Sequence, residues 1–185
     1  MKLIETDLPG CVVLEPHVFG DERGYFFESF NLDKLAAHGI EPRFVQGNVS
    51  RSRRGVLRGL HYQWPGPQGK YVSVIEGEVW DVAVDIRRGS PTYGRWTAVV
   101  LSAENKRHFW IPEGFAHGFV ALSEQAVFTY LCTATYDPKA DAAVRWDDPA
   151  LAIDWPVSAP DLSAKDAAAP LLADIPAERL PVYRE

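Results

Sequence analysis

The sequence predicts an all-β protein, a sandwich or barrel with a few short helices. Seven strand signals are punctuated by Gly, Pro and Asn, and they fall at residues 12–19, 71–75, 79–86, 96–101, 109–111, 118–122 and 126–135. Helical spacing with a capping residue occurs only at residues 31–39 and 163–169. Many short strands with little helix are typical of antiparallel sheets that pack face to face.

The chain length predicts one domain spanning residues 1–185. With 185 residues and 46% hydrophobic content, the chain can fill a single core. Its 14 Gly and 14 Pro are spread along the chain, with no linker or internal repeat. Residues 150–185 are richer in Ala, Pro and Asp, and we expect them to wrap the barrel as an irregular segment with short helices.

Charge and cysteine content exclude several classes of protein. A net charge of −6 argues against general attraction to nucleic acid or anionic membranes. The sequence has no apolar run approaching the roughly 18 to 20 residues of a membrane helix, and its opening residues break a signal-peptide core. Cys11 and Cys132 are too few for a disulfide framework, so we expect buried free thiols and a cytoplasmic location.

One stretch of the chain is locally basic. Between residues 43 and 70 there are six Arg or Lys residues and no Asp or Glu, a composition that suits a small anionic ligand. Three of the six are expected in a solvated loop, namely Arg51, Arg53 and Arg54. No Gly-rich phosphate loop occurs, so a bound nucleotide would rely on Arg and Lys side chains.

The alternation within residues 79–86 predicts a strand with two different faces. The even positions are apolar and predict the packed face, whereas Asp81 and Asp85 place two carboxylates on the other. In the same way, alternation puts His61 and Gln63 on one face of a strand and Leu60 and Tyr62 on the other. His61 is either a general base or a structural, hydrogen-bonded histidine.

Three further side chains are candidates for chemistry, each with a structural alternative. Tyr130 and Tyr136 have the same parity and share a face if their strand is unbroken, either to donate a proton or to pack. Asp166 falls in the first turn of a short helix, where unpaired amides stabilise a carboxylate.

His117 belongs to a spacing, Pro112-x-Gly114-x-x-His117, that resembles the second motif of cupin barrels. In metal-binding cupins this His joins a His-x-His pair and a Glu to hold a transition metal. The present chain has Gln63 in place of the second His and no suitably placed Glu. We therefore expect no metal.

Taken together, the sequence resembles the dTDP-4-dehydrorhamnose 3,5-epimerase family, which has a cupin-type jelly-roll fold. The resemblance runs nearly end to end. It is carried by segments 19–29 (FGDERGYFFES), 56–63 (VLRGLHYQ), 68–70 (QGK), 77–86 (GEVWDVAVDI), 90–94 (SPTYG), 110–119 (WIPEGFAHGF) and 162–166 (LSAKD).

The resemblance implies a dTDP-linked 4-keto-6-deoxyhexose substrate, whose ketone acidifies the hydrogens on C3 and C5. By matching position, His61 would be the base and Asp166 its carboxylate partner. Tyr130 would be the acid that reprotonates from the other face, and Lys70 would stabilise the enolate at the C4 oxygen. The resemblance implies no redox cofactor and no metal.

The resemblance also implies a binding site shared between two subunits. Residues matching those around the thymidine and diphosphate are Arg23, Phe26, Glu28, Gln46, Asn48 and Arg58. Further matches to site residues are His117, Tyr136 and Lys165. Arg23 and Glu28 would come from a partner whose N-terminal strands cross over, which implies a symmetric homodimer.

Three positions depart from the family pattern. Gly47 replaces a common acidic residue, and its backbone is still expected to contact ligand. Leu131 replaces a frequent Lys and should point away from the site, because its parity is opposite to that of Tyr130. Asp141 stands where a Glu is frequent, so its contact with the sugar would be one methylene shorter.

Three alternatives to the double epimerase remain open. A related enzyme would invert C3 alone, a selectivity that depends on how the sugar lies against Tyr130. A non-catalytic cupin would bind a nucleotide sugar without exchanging protons, although the presence of His61 and Tyr130 argues against this. A metal-dependent cupin is disfavoured by Gln63.

Overall fold

The computed structural model describes residues 1–184, and strands dominate that range. The strands are β1 Lys2–Glu5, β2 Val12–Glu15, β3 Val18–Asp21, β4 Gly24–Phe27, β5 Gln46–Arg53, β6 Leu57–Gln63, β7 Lys70–Glu76, β8 Glu78–Asp85, β9 Trp96–Ser102, β10 His108–Ile111, β11 Phe115–Ala121, β12 Gln125–Cys132 and β13 Asp141–Ala143. The helices are α1 Leu32–Ala36 and α2 Ala164–Ala167, followed by two 3-10 helices, Leu172–Asp174 and Ala177–Arg179. The all-β prediction is confirmed.

Two antiparallel sheets pack face to face. The six-stranded sheet has the order β1-β2-β10-β7-β12-β5, and the five-stranded sheet has the order β13-β6-β11-β8-β9. A separate hairpin joins β3 to β4. Among residues 1–184 the longest helix has five residues, and no helix is long and apolar enough to cross a bilayer.

The core lies in three layers. Between the sheets, a cluster draws on both, with Val72, Phe109 and Phe128 from one sheet and Phe115 and Phe119 from the other. A second cluster covers the outer face of the five-stranded sheet with the C-terminal segment, and a third lies under α1 on the outer face of the six-stranded sheet. Both faces of both sheets therefore carry apolar packing.

The alternation in β8 predicts one packed apolar face and a second face with two carboxylates, but in the structure both faces are buried. Its apolar residues Val82 and Val84 pack outward against the C-terminal segment around Trp155. Asp81 and Asp85 are on the face towards the sandwich interior, and neither is exposed to solvent. The carboxylate face is therefore as buried as the apolar face, and each carboxylate needs partners inside the protein.

Several element boundaries differ from the predicted ones. The strand predicted at 12–19 is split into β2 and β3, because Pro16 lacks the amide that a continuous ladder needs. The strand predicted at 126–135 ends at Cys132. Arg51 and Arg53 lie on β5 with exposed side chains, so the predicted loop is wrong for both. Strands β1, β4, β5, β6 and β13 have no counterpart among the seven strand signals, although the alternation around His61 had predicted a strand where β6 lies.

Both predicted helix caps are present. The side chain of Asn31 accepts a hydrogen bond from the Lys34 amide at the start of α1. The side chain of Ser163 accepts one from the Asp166 amide at the start of α2. These caps satisfy amides that have no partner within the helix.

Candidate active site

A cavity of about 210 Å³ opens between the two sheets and contains much of the chemistry predicted from the sequence. The five-stranded sheet contributes Arg58, His61, Tyr62, Gln63, His117 and Phe119. The six-stranded sheet contributes Ser50, Lys70, Phe128 and Tyr130, and connecting segments and β13 add Gln68, Tyr136 and Asp141. The predicted base and the predicted acid thus stand on opposite walls.

A bulge in β6 points Arg58 and His61 into the same cavity. His61 is opposite His117 on β11, and Arg58 is opposite Phe119, so the two β6 residues between these pairs face a single β11 residue, Gly118. Regular alternation would put positions 58 and 61 on opposite faces. The extra residue brings the base and a phosphate-binding candidate to one side.

Two facing glycines allow β6 and β11 to approach at this bulge. Gly59 has a φ of +136°, and a Cβ there would lie 2.5 Å from Gly118 Cα. A Cβ on Gly118 would lie 2.7 Å from the Arg58 carbonyl oxygen. Only glycine fits at both positions, because such distances are far below van der Waals contact.

His61 and Asp166 form a hydrogen-bonded pair. His61 Nε2 is 2.6 Å from Asp166 Oδ1, with the Asp166 side chain 4% exposed and the His61 side chain 36% exposed. Burial alone would raise the pKa of Asp166. Hydrogen bonds from His61, Ser163 and the Gly59 amide together outweigh this effect, so the pKa of Asp166 is below its ordinary value. An ionised carboxylate only accepts hydrogen bonds, so Nε2 donates and Nδ1 is left as the basic nitrogen.

Tyr130 projects from β12 on the opposite wall. Burial raises the pKa of its phenol, and the nearby Cys132 and Asp141 add to the shift, while Arg58 opposes it. The phenol therefore keeps its proton at neutral pH. A protonated hydroxyl in this position suits a general acid.

Lys70 lies deep in the cavity with 7% of its surface exposed. Burial lowers the pKa of its amine, and Cys132, Asp141 and Asp81 oppose that shift. The fraction of the Lys70 amine that is charged at neutral pH therefore depends on these three neighbouring side chains.

The buried carboxylate of Asp81 is a site feature that the sequence analysis did not assign. Asp81 Oδ1 and Oδ2 lie 3.0 and 2.9 Å from His117 Nε2. Strand alternation had already placed Asp81 on the carboxylate face of β8. The missing information was that this face lines the sandwich interior next to His117.

Three charged or polar side chains meet at the mouth of the cavity. The Tyr136 hydroxyl donates to Asp141 Oδ2 over 3.0 Å, and Lys165 Nζ pairs with the same oxygen. Tyr136 lies beyond the end of β12, so the unbroken strand that would place it on the same face as Tyr130 is not present. It nevertheless lines the same cavity, because the chain turns back towards β13 after Cys132.

Gln46, Asn48 and Arg58 lie around the same end of the sandwich. Gln46 Oε1 accepts a hydrogen bond from the Tyr136 amide over 2.7 Å, and Gln46 Nε2 donates to Asn48 Oδ1 over 3.0 Å. Asn48 is opposite Tyr130 in the β5–β12 ladder. Arg58 Nε donates to Ser52 Oγ over 3.0 Å, which orients the guanidinium without neutralising it.

Residues Arg23, Phe26 and Glu28 are not brought to the cavity of their own chain. Arg23 pairs with Asp21 on the β3–β4 hairpin, and Glu28 pairs with Lys34. Phe26 is 68% exposed. The contact of these three residues with ligand stays a prediction, and it would have to occur in the cavity of a second subunit.

Gln63, which takes the place of a cupin metal ligand, is already occupied. Its Nε2 donates to the Gly66 and Thr135 carbonyl oxygens, and its Oε1 accepts from the Asp137 amide. Within residues 1–184 no cluster of three His, Cys, Asp or Glu side chains has the arrangement of a metal site. Gln63 acts here as a brace between two loops.

Leu131 points away from the cavity, as its parity predicts, whereas the contact of the Gly47 backbone with ligand stays a prediction. Leu131 packs in the outer cluster beneath α1, away from the cavity. Gly47 is exposed on β5, and a Cβ there would make an ordinary contact of 3.4 Å with Leu131.

Comparisons with known proteins agree with this geometry. Residues 5–174 match the family model of dTDP-4-dehydrorhamnose 3,5-epimerase. The dTDP-4-dehydrorhamnose 3,5-epimerase of Salmonella typhimurium is 57% identical over 175 residues, covering 93% of this chain and 96% of that protein. That of Methanothermobacter thermautotrophicus is 55% identical over 168 residues, covering 89% and 91%.

A solved structure is also similar along the whole chain. It is the dTDP-6-deoxy-D-glucose-3,5-epimerase of Legionella pneumophila Philadelphia 1 in complex with dTDP-4-keto-L-rhamnose. Its TM-score is 0.97 at 55% identity, covering 100% of this chain and 99% of that one. The structural match confirms the predicted jelly roll of cupin type.

Proposed function

Because the chain belongs to the dTDP-4-dehydrorhamnose 3,5-epimerase family, we propose that its cavity inverts C3 and C5 of dTDP-4-dehydro-6-deoxy-D-glucose. The product is dTDP-4-dehydro-L-rhamnose. The chain is thus an isomerase of nucleotide-sugar metabolism. The observation that carries the proposal is the placement of His61 and Tyr130 on opposite walls of one cavity.

Inversion requires a proton to leave one face of the sugar and another to arrive on the opposite face. His61 Nδ1 takes the proton from C3 or C5, and the electrons of the broken C–H bond move into an enolate at the C4 oxygen. Asp166 stabilises the resulting imidazolium through Nε2. Tyr130 then returns a proton to the same carbon from the opposite wall, and exchange with solvent restores both groups.

Lys70 is assigned to the developing charge at the C4 oxygen. A fixed ammonium there stabilises the enolate more than the neutral ketone, and its burial strengthens the interaction. The oxidation state of each carbon is the same before and after the reaction, so the proposal assigns no redox cofactor.

The nucleotide is assigned to the edge of the sandwich beside β5. Arg58 supplies charge for the diphosphate, and Gln46 and Asn48 supply amides close by. His117, Tyr136, Asp141 and Lys165 surround the sugar end of the cavity. This assignment separates the group that grips the phosphates from the groups that move protons.

A homodimer completes the site in this proposal. The β3–β4 hairpin exposes Phe26 and Arg23 away from their own cavity. An aromatic ring and a cation at the end of an exposed hairpin suit a thymine base and a phosphate in a second copy of the chain. A reducing cytoplasmic location fits the free, buried thiols Cys11 and Cys132.

Product analysis with a trapping reductase tests the proposal. The purified protein is incubated with dTDP-4-dehydro-6-deoxy-D-glucose, and the reduced sugars are identified by NMR. A sugar of L-rhamnose configuration supports the double epimerase. A product inverted at C3 alone supports the C3 epimerase, and recovery of unchanged sugar supports a non-catalytic binding protein.

A further inference from the structure

The β3–β4 hairpin has one side fixed to its own chain and another side exposed to solvent. Tyr25 and Phe27 on β4, and Ser29 just after it, each contact a residue on the outer face of the six-stranded sheet or in the turn beside it. Phe26 is 68% exposed, and the side chain of Arg23 in the hairpin turn is 86% exposed. Because successive strand residues point to opposite faces, contacts made by the odd-numbered residues determine where Phe26 points.

Lys106, in the turn between β9 and β10, contacts the hairpin near its turn. Lys106 Nζ donates to the Ala103 and Glu104 carbonyl oxygens over 3.0 and 3.1 Å. The same ammonium lies 4.4 Å from the centre of the Tyr25 ring. A cation over an aromatic face is attracted by the negative potential of the ring. The two carbonyl groups therefore fix the cation, and the cation holds Tyr25.

His108 on β10 packs against the middle of β4. Its ring centre is 6.2 Å from that of Phe27 and stacks on Tyr71 at 5.0 Å. The residue is 3% exposed, and among residues 1–184 neither ring nitrogen has a hydrogen-bond partner. Burial lowers the pKa of His108 to about 4, so the ring is neutral at pH 7. The neutral imidazole thus provides a packing surface for the hairpin.

Tyr71 on β7 contacts the base of the hairpin. Its hydroxyl donates to the Ser29 carbonyl oxygen over 2.9 Å, and its ring meets Phe30 edge-on at 5.8 Å. Tyr71 belongs to the outer cluster beneath α1, on the face of the sheet that points away from the cavity. We call Tyr71, Lys106 and His108 the hairpin dock. The three residues hold Ser29, Tyr25 and Phe27, respectively.

We propose that the hairpin dock is a set of positioning residues for nucleotide binding in the partner subunit. It fixes the inner side of the hairpin to its own chain and so directs Phe26 and Arg23 towards the cavity of a second copy. The inference rests on the proposed function, in which these two residues contact the nucleotide across a homodimer. It adds that the outer face of one subunit controls the affinity of the other subunit's cavity.

A double variant tests whether the dock supports nucleotide binding. Tyr71→Phe/Lys106→Met removes the hydrogen bond and the cation with little change in side-chain size. We expect the dTDP affinity of the homodimer, measured by calorimetry, to fall about 10-fold. KM for the nucleotide sugar should rise by a similar factor at nearly unchanged kcat. The matched control is Tyr93→Phe/Lys2→Met, the same two changes at exposed residues, which should bind dTDP like the wild type.

Hybrid dimers, purified through two different affinity tags, show which cavity the dock serves. Each hybrid has His61→Ala in one chain, so a single working base remains. In the cis hybrid, Tyr71→Phe/Lys106→Met is on the chain that keeps His61. In the trans hybrid, it is on the His61→Ala chain. We expect a wild-type KM for the cis hybrid and a KM raised about 10-fold for the trans hybrid, because there the working cavity receives the altered hairpin.

The outcomes decide between action on the partner and action within one subunit. A KM raised in the cis hybrid alone, or equal KM values in the two hybrids, would overturn the inference, as would wild-type dTDP affinity of the double-variant homodimer. If the double variant does not fold, Lys106→Met alone replaces it in the same hybrids. Its side chain is partly exposed, and the expected rise in KM is about 3-fold.

Two further results separate the inference from the proposed function. A protein that sediments as a monomer yet inverts the sugar overturns the inference and leaves the proton chemistry in place. A dimer whose dTDP affinity falls in Tyr71→Phe/Lys106→Met, but which never inverts the sugar, supports the placement of the hairpin and counts against the proposed function.

Discussion

His61 Nε2 lies 2.6 Å from Asp166 Oδ1, although 105 positions separate the two residues in the chain. His61 is on β6, next to the edge strand β13 of the five-stranded sheet, and Asp166 is on a four-residue helix of the C-terminal segment. That segment also covers the outer face of the sheet. The C-terminal segment thus buries apolar surface of the sheet and also places the Asp166 carboxylate next to His61, which it orients.

The first prediction concerns this carboxylate. Asp166→Asn should lower the rate of epimerisation by about 10³-fold, because an amide can donate to Nε2 and stabilise the tautomer that carries its proton on Nδ1. Steady-state kinetics measure the loss. Asp161→Asn is the control, because this exposed residue lies in the same segment and its side chain pairs with Arg53 on the surface. Equal activity in both variants would contradict the assigned role.

The second prediction separates proton removal from inversion. Tyr130→Phe should lower product formation by about 10² to 10³-fold, since no acid remains on that wall. His61 should still exchange the hydrogen it removes, so deuterium enters the unreacted sugar. NMR of the recovered substrate measures this exchange. Tyr93→Phe, a change outside the cavity, should behave as wild type, and full product formation by Tyr130→Phe would exclude the phenol as the acid.

The third prediction concerns the nucleotide. Arg58→Ala should weaken dTDP binding by about 10 to 100-fold, because a charge-assisted phosphate contact is lost. Calorimetric titration with dTDP gives the affinity. Arg53→Ala is the matched control, because Arg53 belongs to the same basic stretch but does not line the cavity and pairs with Asp161. If both variants bind dTDP like the wild type, the phosphate lies elsewhere.

The fourth prediction tests the close approach of β6 and β11. Gly59→Ala should destabilise the fold and displace His61, because its new Cβ would lie 2.5 Å from Gly118 Cα and 2.9 Å from the His117 carbonyl oxygen. Gly47→Ala should be tolerated, since its Cβ would have an ordinary contact with Leu131. Thermal unfolding and activity are measured for both. A stable, active Gly59→Ala protein would mean that the bulge can relax without cost.

Local patterns in the sequence predicted much of this architecture. The caps at Asn31 and Ser163 and the faces of His61 and Leu60 follow from neighbouring residues alone. The orientation of β8 could not be derived in that way, because which face is internal depends on where residues 150–184 pack. The bulge at Gly59 also escaped prediction, since it arises from contact with Gly118 on another strand.

In the candidate active site, too, local sequence patterns predict some features, whereas others depend on contacts between distant parts of the chain. Asp166 and His61 are adjacent only after the chain has folded, and nothing in their spacing along the sequence joins them. Their pairing was implied by the family resemblance, and the hydrogen bond gives it a geometry. Asp81 was visible as one of two carboxylates on a strand face. Its contact with His117 depends on the register of β8 against β11, which the sequence pattern does not contain.

The fifth prediction concerns acid stability. Burial alone would raise the pKa of Asp85. Hydrogen bonds from Arg87, Ser90 and Thr92 together outweigh this effect, so the pKa of Asp85 is below 3.8. A carboxyl whose pKa falls on folding stabilises the protein above its unfolded pKa, and this contribution is lost as the pH falls through the lower folded value. Asp85→Asn should therefore cost about 3 kcal/mol at pH 7.

Urea unfolding of both proteins at pH 7, 5 and 3 measures this difference. The difference in free energy of unfolding between wild type and Asp85→Asn should have its largest value at pH 7 and 5 and should be smaller at pH 3. A gap that stays constant down to pH 3 would mean that the ionised form of Asp85 contributes no stability.

The central claim is that His61 removes the protons at both C3 and C5. Its most direct test is incubation of dTDP-4-dehydro-6-deoxy-D-glucose in deuterated water with wild-type protein and with His61→Ala, followed by NMR at each carbon. We predict deuterium at C3 and C5 with the wild type, none at either carbon with His61→Ala, and nearly equal dTDP affinity for the two proteins. Undiminished exchange in folded His61→Ala would contradict the account.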